Sequence, residues 1–132
     1  MKWYGTQYTH HTQNLLKMTR KRTTRKKDPF IVVEIEKKMY SDFKDLYNTN
    51  RDGIYRGVLD IYNEFKINSR KRVLTLLVST DMGYLSWDTE FSFKKVDYQI
   101  LIEQILPYYE DIEDYEKCAE IKNLHDFFAN NN

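Results

Sequence analysis

The strongest constraint on how this chain folds lies between Arg72 and Lys94. Val73-Leu74-Thr75-Leu76-Leu77-Val78 is an almost unbroken apolar run, short enough for a strand and bounded by polar residues. Such a run predicts a strand covered on both sides, hence central in its sheet. Asp81-Met82-Gly83 supplies turn chemistry. From Tyr84 to Lys94 the alternation is then strict, with Leu85, Trp87, Phe91 and Phe93 on one face and Ser86, Asp88, Glu90, Ser92 and Lys94 on the other. Period-two alternation after a turn predicts a β-hairpin with one buried face.

Upstream, Asp28-Pro29 breaks the chain and Phe30-Ile31-Val32-Val33-Glu34-Ile35-Glu36 reads as another strand. Met39, Phe43, Leu46 and Tyr47 fall at helical spacing, with Asn48-Thr49-Asn50 as the stop. A second stripe, Ile54, Val58, Ile61, Tyr62 and Phe65, ends at Asn68-Ser69. Gly57 inside that helix costs about 1 kcal/mol relative to Ala. The 35 or so residues between the first two strands suffice for a crossover, so those strands are expected to pair in parallel.

After the hairpin, Tyr98, Leu101, Ile102, Ile105, Tyr109 and Ile112 form a helical stripe with Pro107 off it, predicting a bend or restart. A last helix is expected from about Asp114 to Phe128. Its apolar set of Tyr115, Cys118, Ala119, Ile121, Leu124 and Phe128 covers so wide an arc that it suggests a helix wedged between two surfaces. The fold class is therefore α+β: a small three-stranded mixed sheet in the order β-α-α-β-β-α-α, ending in a helical hairpin. Residues 1–28 read as a basic, aromatic-containing arm, 29–129 as one domain and 130–132 as a frayed tail. At 132 residues the length fits a single core.

Charge is distributed unevenly. Residues 1–28 hold eight Lys/Arg and one acid, whereas residues 97–132 hold two bases and nine acids, although the whole chain is only +1. Seven of the bases are Lys17, Arg20, Lys21, Arg22, Arg25, Lys26 and Lys27. Such a block repels itself and has little to bury. Its cations and the hydroxyls of Thr19, Thr23 and Thr24 suit the phosphates of nucleic acid or another polyanion. Arg70-Lys71-Arg72, at the start of the central strand, extend the same positive surface. Trp3, Tyr4 and Tyr8 are expected to stack on unpaired bases or to anchor the arm on protein. A different reading has the basic and acidic ends attracting one another, within one chain or between copies. A solvated tail is the third.

The segment Asp114-Tyr115-Glu116-Lys117-Cys118-Ala119-Glu120-Ile121-Lys122-Asn123-Leu124 resembles the UVR motif, a short helical hairpin of nucleotide-excision-repair proteins and some chaperone regulators. Tyr115, Glu116, the small pair Cys118-Ala119, Ile121 and Lys122 carry the likeness. Asn123 stands where the motif has an acid, and His125 where it is usually aliphatic. The resemblance covers about 20 residues and implies a protein-docking hairpin, with Tyr115, Glu116 and Ile121 as its docking residues; Trp3 and Tyr4 are expected docking residues of the arm on their aromatic character alone.

No catalytic constellation is legible. Three His and one Cys fall short of a tetrahedral metal set, and Cys118 and His125 are seven positions apart, about two helical turns. The four glycines build no phosphate loop. Asp28 with Glu36-Lys37-Lys38 superficially resembles a metal-dependent nuclease pattern, but Glu64-Phe65-Lys66 repeats the triplet on a helix and the connecting hairpin is missing. The expectation is a non-enzymatic binding protein without cofactor or metal, engaging nucleic acid or another polyanion, or else a protein–protein adaptor, inhibitor or assembly component. Small size with many Tyr and Asn suits a virus- or phage-type accessory protein. A single Cys and the lack of a signal peptide or membrane-spanning run point to the reducing cytoplasm.

Overall fold

The computed structural model describes residues 19–21, 29–35, 39–81 and 86–131, with backbone alone at 19–21, 80–81 and 86–87. In chain order the elements are β1 (Thr19–Lys21), β2 (Ile31–Glu34), α1 (Phe43–Thr49), α2 (Arg51–Ile67), β3 (Val73–Asp81) and β4 (Ser86–Lys94). There follow a 3₁₀ turn (Lys95–Asp97), a π-helical turn (Leu101–Ile105), α3 (Leu106–Asp111) and α4 (Tyr115–Asn130).

The three-stranded mixed sheet expected from the alternation is present. β3 is its centre, parallel to β2 with Ile31 opposite Leu76, and antiparallel to β4 with Leu76 opposite Phe91. One strand is added to it. Thr19–Lys21, within the basic segment, pairs antiparallel with β4 and places Arg20 opposite Glu90, giving the order β1-β4-β3-β2.

Alternation decides which side of the sheet is buried. Ile31, Val33, Leu74, Leu76, Val78, Phe91 and Phe93 face one hydrophobic cluster that also holds side chains of all four helices. α2 lies directly on β2 and β3, and Gly57 is the reason it comes so close. A Cβ at Gly57 would stand 2.7 Å from Leu76 Cδ1, 3.1 Å from Val33 Cγ2 and 3.3 Å from Ile31 Cγ2. The helix-propensity cost of this glycine is thus offset by intimate contact with the sheet. Gly53, one turn earlier, would meet only Val33 Cγ1 at 3.7 Å.

Local chemistry explains the helix boundaries. Asp42 caps α1, its carboxylate accepting from Asp45 N–H at 2.8 Å. Met39, expected on the α1 stripe, precedes the cap and is exposed. Asp114 caps α4 by accepting from Lys117 N–H at 3.1 Å. Pro107 cannot donate to the preceding turn, and the helix before it widens to a π turn in which Leu106 N–H reaches back to the Leu101 carbonyl. Glu113 turns the chain from α3 into α4 with φ 61°. α4 corrects the expectation of a wedged helix. Cys118, Ile121, Leu124 and Phe128 form one buried stripe, while Tyr115 and Ala119 are exposed, so the helix packs on one side only.

The two glycines make opposite predictions. Gly57→Ala gains helix propensity but overpacks against Leu76 and the β-branched Val33 and Ile31, and urea unfolding should show a net loss of about 1–2 kcal/mol. Gly53→Ala, which meets only ordinary contact distance, should raise stability by a few tenths to about 1 kcal/mol.

Candidate polyanion interface

Two groups of polar side chains stand out once the core is set aside. The first is a cationic end of the sheet. Arg70, Lys71 and Arg72 lead into β3, and Lys94 and Lys95 lead out of β4. Their register brings them together: Val73 pairs with Lys94, and Lys95 N–H donates to the Arg72 carbonyl at 2.9 Å. Arg70, Arg72 and Lys94 are exposed. Lys95 Nζ donates to the Ser69 carbonyl at 3.1 Å, which fixes its ammonium beside the loop. Lys71 Nζ lies 3.8 Å from Glu64 Oε2 and 5.8 Å from the centroid of Phe30. Phe30 opens β2 by donating its N–H to the Thr75 carbonyl at 3.0 Å, so β2 begins at this same end of the sheet. Glu64 is the acid beside Lys71 there, and Asp97 ends the 3₁₀ turn that begins at Lys95.

The acidic residues collect at the opposite end. Tyr109 Oη donates to Asp52 Oδ1 at 2.9 Å, tying α3 to the first turn of α2. At the far end of α2, Tyr62 packs on Phe128, and Lys66 Nζ lies 5.3 Å from the Phe127 ring. The α3–α4 turn, with Glu110, Asp111, Glu113, Asp114 and Glu116, therefore sits at the N-terminal end of α2 and the cationic corner at its C-terminal end. The 17 residues of α2 separate them by about 25 Å.

The second group is a tyrosine–arginine cluster between α1, α2 and α3. The Arg51 guanidinium lies 5.5 Å from the Tyr47 ring centroid and 5.7 Å from that of Tyr108. Tyr47 Oη donates to Tyr55 Oη, and Arg51 Nη2 to Asn48 Oδ1. Burial pushes the Tyr55 hydroxyl up to about 12, opposed in part by the Tyr47 hydrogen bond. Burial likewise raises Tyr62, and it raises Tyr109, where the bond to Asp52 adds to the effect. These hydroxyls stay protonated at neutral pH, so the cluster is a packed lock with no base to offer. Burial also raises the Cys118 thiol, which is 4% exposed and poorly suited to nucleophilic work. Among the described residues no three His, Cys, Asp or Glu side chains are grouped to hold a metal. Among them, too, no helix is long and apolar enough to cross a membrane.

The expected site residues divide accordingly. Arg70, Lys71 and Arg72 are together on the surface. Arg20 and Lys21 lie on the backbone of β1, and Lys17, Arg22, Arg25, Lys26, Lys27, Trp3 and Tyr4 lie outside the described residues. Of the expected docking residues, Tyr115 is 67% exposed and Glu116 is exposed. Ile121 corrects the expectation: it is 0% exposed, its side chain is already spent in the core, and it has no surface to offer a partner. Lys94 and Lys95 do not stand out in the sequence; their signal is the hairpin register, which sets them beside Arg72. The chain matches no protein-family model, no curated protein and no solved structure.

The buried tyrosines set an alkaline limit. An unfolded tyrosine releases its proton near pH 10, whereas folded Tyr55 holds its own to about 12. Between those values the unfolded chain binds fewer protons, and stability falls by about 1.4 kcal/mol per pH unit for each such group. Ultraviolet titration at the phenolate band should therefore show the exposed tyrosines ionising first. Tyr55, Tyr62 and Tyr109 should follow only in a second step that coincides with loss of helical circular dichroism.

Proposed function

We propose that this protein is a non-enzymatic binder of nucleic acid or a related polyanion, acting through the cationic end of its sheet. The observation that carries the reading is the convergence of Arg70, Lys71, Arg72, Lys94 and Lys95 at one end of the sheet, beside the start of β2. Exposed cations clustered in this way gain more from a chain of phosphates than from scattered counterions, because each contact releases condensed ions from the polymer. The acidic α3–α4 turn lies at the other end of α2, so it leaves that surface open to an outside anion and gives the molecule a direction in which to approach one. The described cations stand on a hairpin end and a loop, which favours backbone contact over sequence readout.

A second reading rests on the acidic end. Ile112 is 52% and Tyr115 67% exposed beside Asp111, Glu113 and Glu116. An exposed apolar pair rimmed by acids suits a basic protein segment, in keeping with the UVR-like docking hairpin that this stretch resembles.

The two readings separate by mutation. Fluorescence anisotropy of the full chain with single-stranded RNA, duplex DNA and heparin should give binding that weakens steeply between 50 and 200 mM salt. The triple substitution Arg70→Glu, Arg72→Glu, Lys94→Glu should weaken it by at least about tenfold and flatten the log–log salt slope by about 0.7–0.9 for each phosphate no longer neutralised. Substituting Ile112→Ser and Tyr115→Ser should leave polyanion binding unchanged. Full retention of binding by the triple variant, with its circular dichroism intact, would refute the first reading.

A further inference from the structure

The cationic corner carries apolar surface that cations alone do not call for. Phe30 is 37% exposed and Val73 52%, while their chain neighbours Ile31 and Leu74 pack on the core. Alternation turns Val73 away from the helices, because Leu74, Leu76 and Val78 face them. The register sets Val73 directly opposite Lys94, which is exposed and shares that side of the sheet. Phe30 lies one strand over. Its N–H bonds the Thr75 carbonyl, which places it about 8 Å from Val73, one strand spacing across and two residues along. Lys71 Nζ stands over its ring, 5.8 Å from the centroid. An exposed aromatic ring and an exposed valine are thus set among Lys71, Arg72 and Lys94.

Such a mixture is selective about its ligand. Exposed apolar surface rimmed by charge marks a contact region. A ligand with anionic groups alone, such as a sulfated polysaccharide, satisfies the cations and leaves the ring bare. A duplex keeps the faces of its bases stacked on one another, so it too offers the ring nothing. An unpaired strand supplies both parts, phosphates for the cations and a flat π-face for the phenyl ring. Stacking of this kind ignores base identity, in keeping with cations that stand on strand ends and a loop.

Charge also limits where such a strand runs. Glu34 and Asp88 both lie level with Ser79, six residues along β3 from Val73 and therefore about 20 Å from it. Glu34 is exposed, and a phosphate near it is repelled. The favourable path crosses the sheet at the start of β3, over Phe30 and Val73, rather than following the strands toward the acids.

We infer that the corner binds unpaired nucleic acid, RNA or DNA, with a base stacked on Phe30 beside Val73 and the flanking phosphates on Arg72 and Lys94. This rests on the polyanion reading above and narrows it from any chain of negative charge to one with exposed base faces.

Fluorescence anisotropy of the full chain tests it, with a single-stranded RNA, a single-stranded DNA, a duplex DNA and heparin of matched charge. Phe30→Ala should weaken binding of the single strands by about tenfold and leave the duplex and heparin within about twofold. The log–log salt slope should not change, since no phosphate contact is lost. A loss confined to RNA or to DNA names that strand as the ligand. Phe30→Trp keeps a ring, so it should bind single strands as the unaltered chain does. Its added indole emission, relative to that chain, should be quenched by single strands and not by heparin. Undiminished single-strand binding by Phe30→Ala would overturn the stacking site and leave the polyanion reading standing. If Phe30→Ala loses all four ligands alike, the indole decides: quenching by single strands supports the site, and unchanged emission overturns it. Failure of the unaltered chain to bind any of the four would overturn both readings.

Discussion

The contact between α2 and the sheet at Gly57 is the constraint on which the rest of this structure depends. With no Cβ there, the helix settles onto Leu76, Val33 and Ile31 at distances any side chain would forbid. That seating fixes the axis of α2 over β2 and β3, and the other packing follows from it. Tyr62 then reaches the Lys94 carbonyl with its hydroxyl at 2.8 Å, and Phe65 joins an edge-on pair with Tyr62. α4 lies against α2 through Phe128, and α3 is tied to its first turn through Tyr109 and Asp52. A chain with 15% aromatic residues needs such seating, because large rings pack densely only when the elements carrying them are held at definite distances.

The parts of this fold that are legible in the sequence are those whose signal is local. The alternation from Ser86 to Lys94 and the apolar stripe of Ile54, Val58, Ile61, Tyr62 and Phe65 express their periods within a dozen residues, and both elements are where the periods put them. Elements whose existence depends on a distant partner are not legible. β1 is three residues, Thr19-Arg20-Lys21, with a composition that argues against a strand, and it exists because the β4 edge accepts it. The buried stripe on α4 is narrower than its composition suggests, because Tyr115 and Ala119 look like core residues until the helix is placed. Site residues divide the same way. Arg70-Lys71-Arg72 is a visible cluster, whereas Lys94 and Lys95 join it only through a register that no linear count of charges contains.

Net charge is a poor guide to this molecule, since +1 is compatible with any arrangement of 21 bases and 20 acids. The fold converts a difference between the chain's ends into a difference between the ends of α2. Bases surround the open end of the hairpin, and acids surround the α3–α4 turn about 25 Å away, beyond the Debye length of about 8 Å at physiological salt. The described bases and the acidic turn therefore act as separate surfaces, with little mutual neutralisation across the domain.

The five cations at the hairpin end are not held alike. Lys71 Nζ stands 3.8 Å from Glu64 Oε2 and Lys95 Nζ is held by the Ser69 carbonyl, whereas Arg70, Arg72 and Lys94 are exposed on strand ends and a loop. The corner thus combines cations fixed by the fold with cations that project from it. Like charges gathered within a Debye length of one another repel, and that repulsion is a cost the fold carries where the β3–β4 register sets Val73 opposite Lys94 and Lys95 beside Arg72.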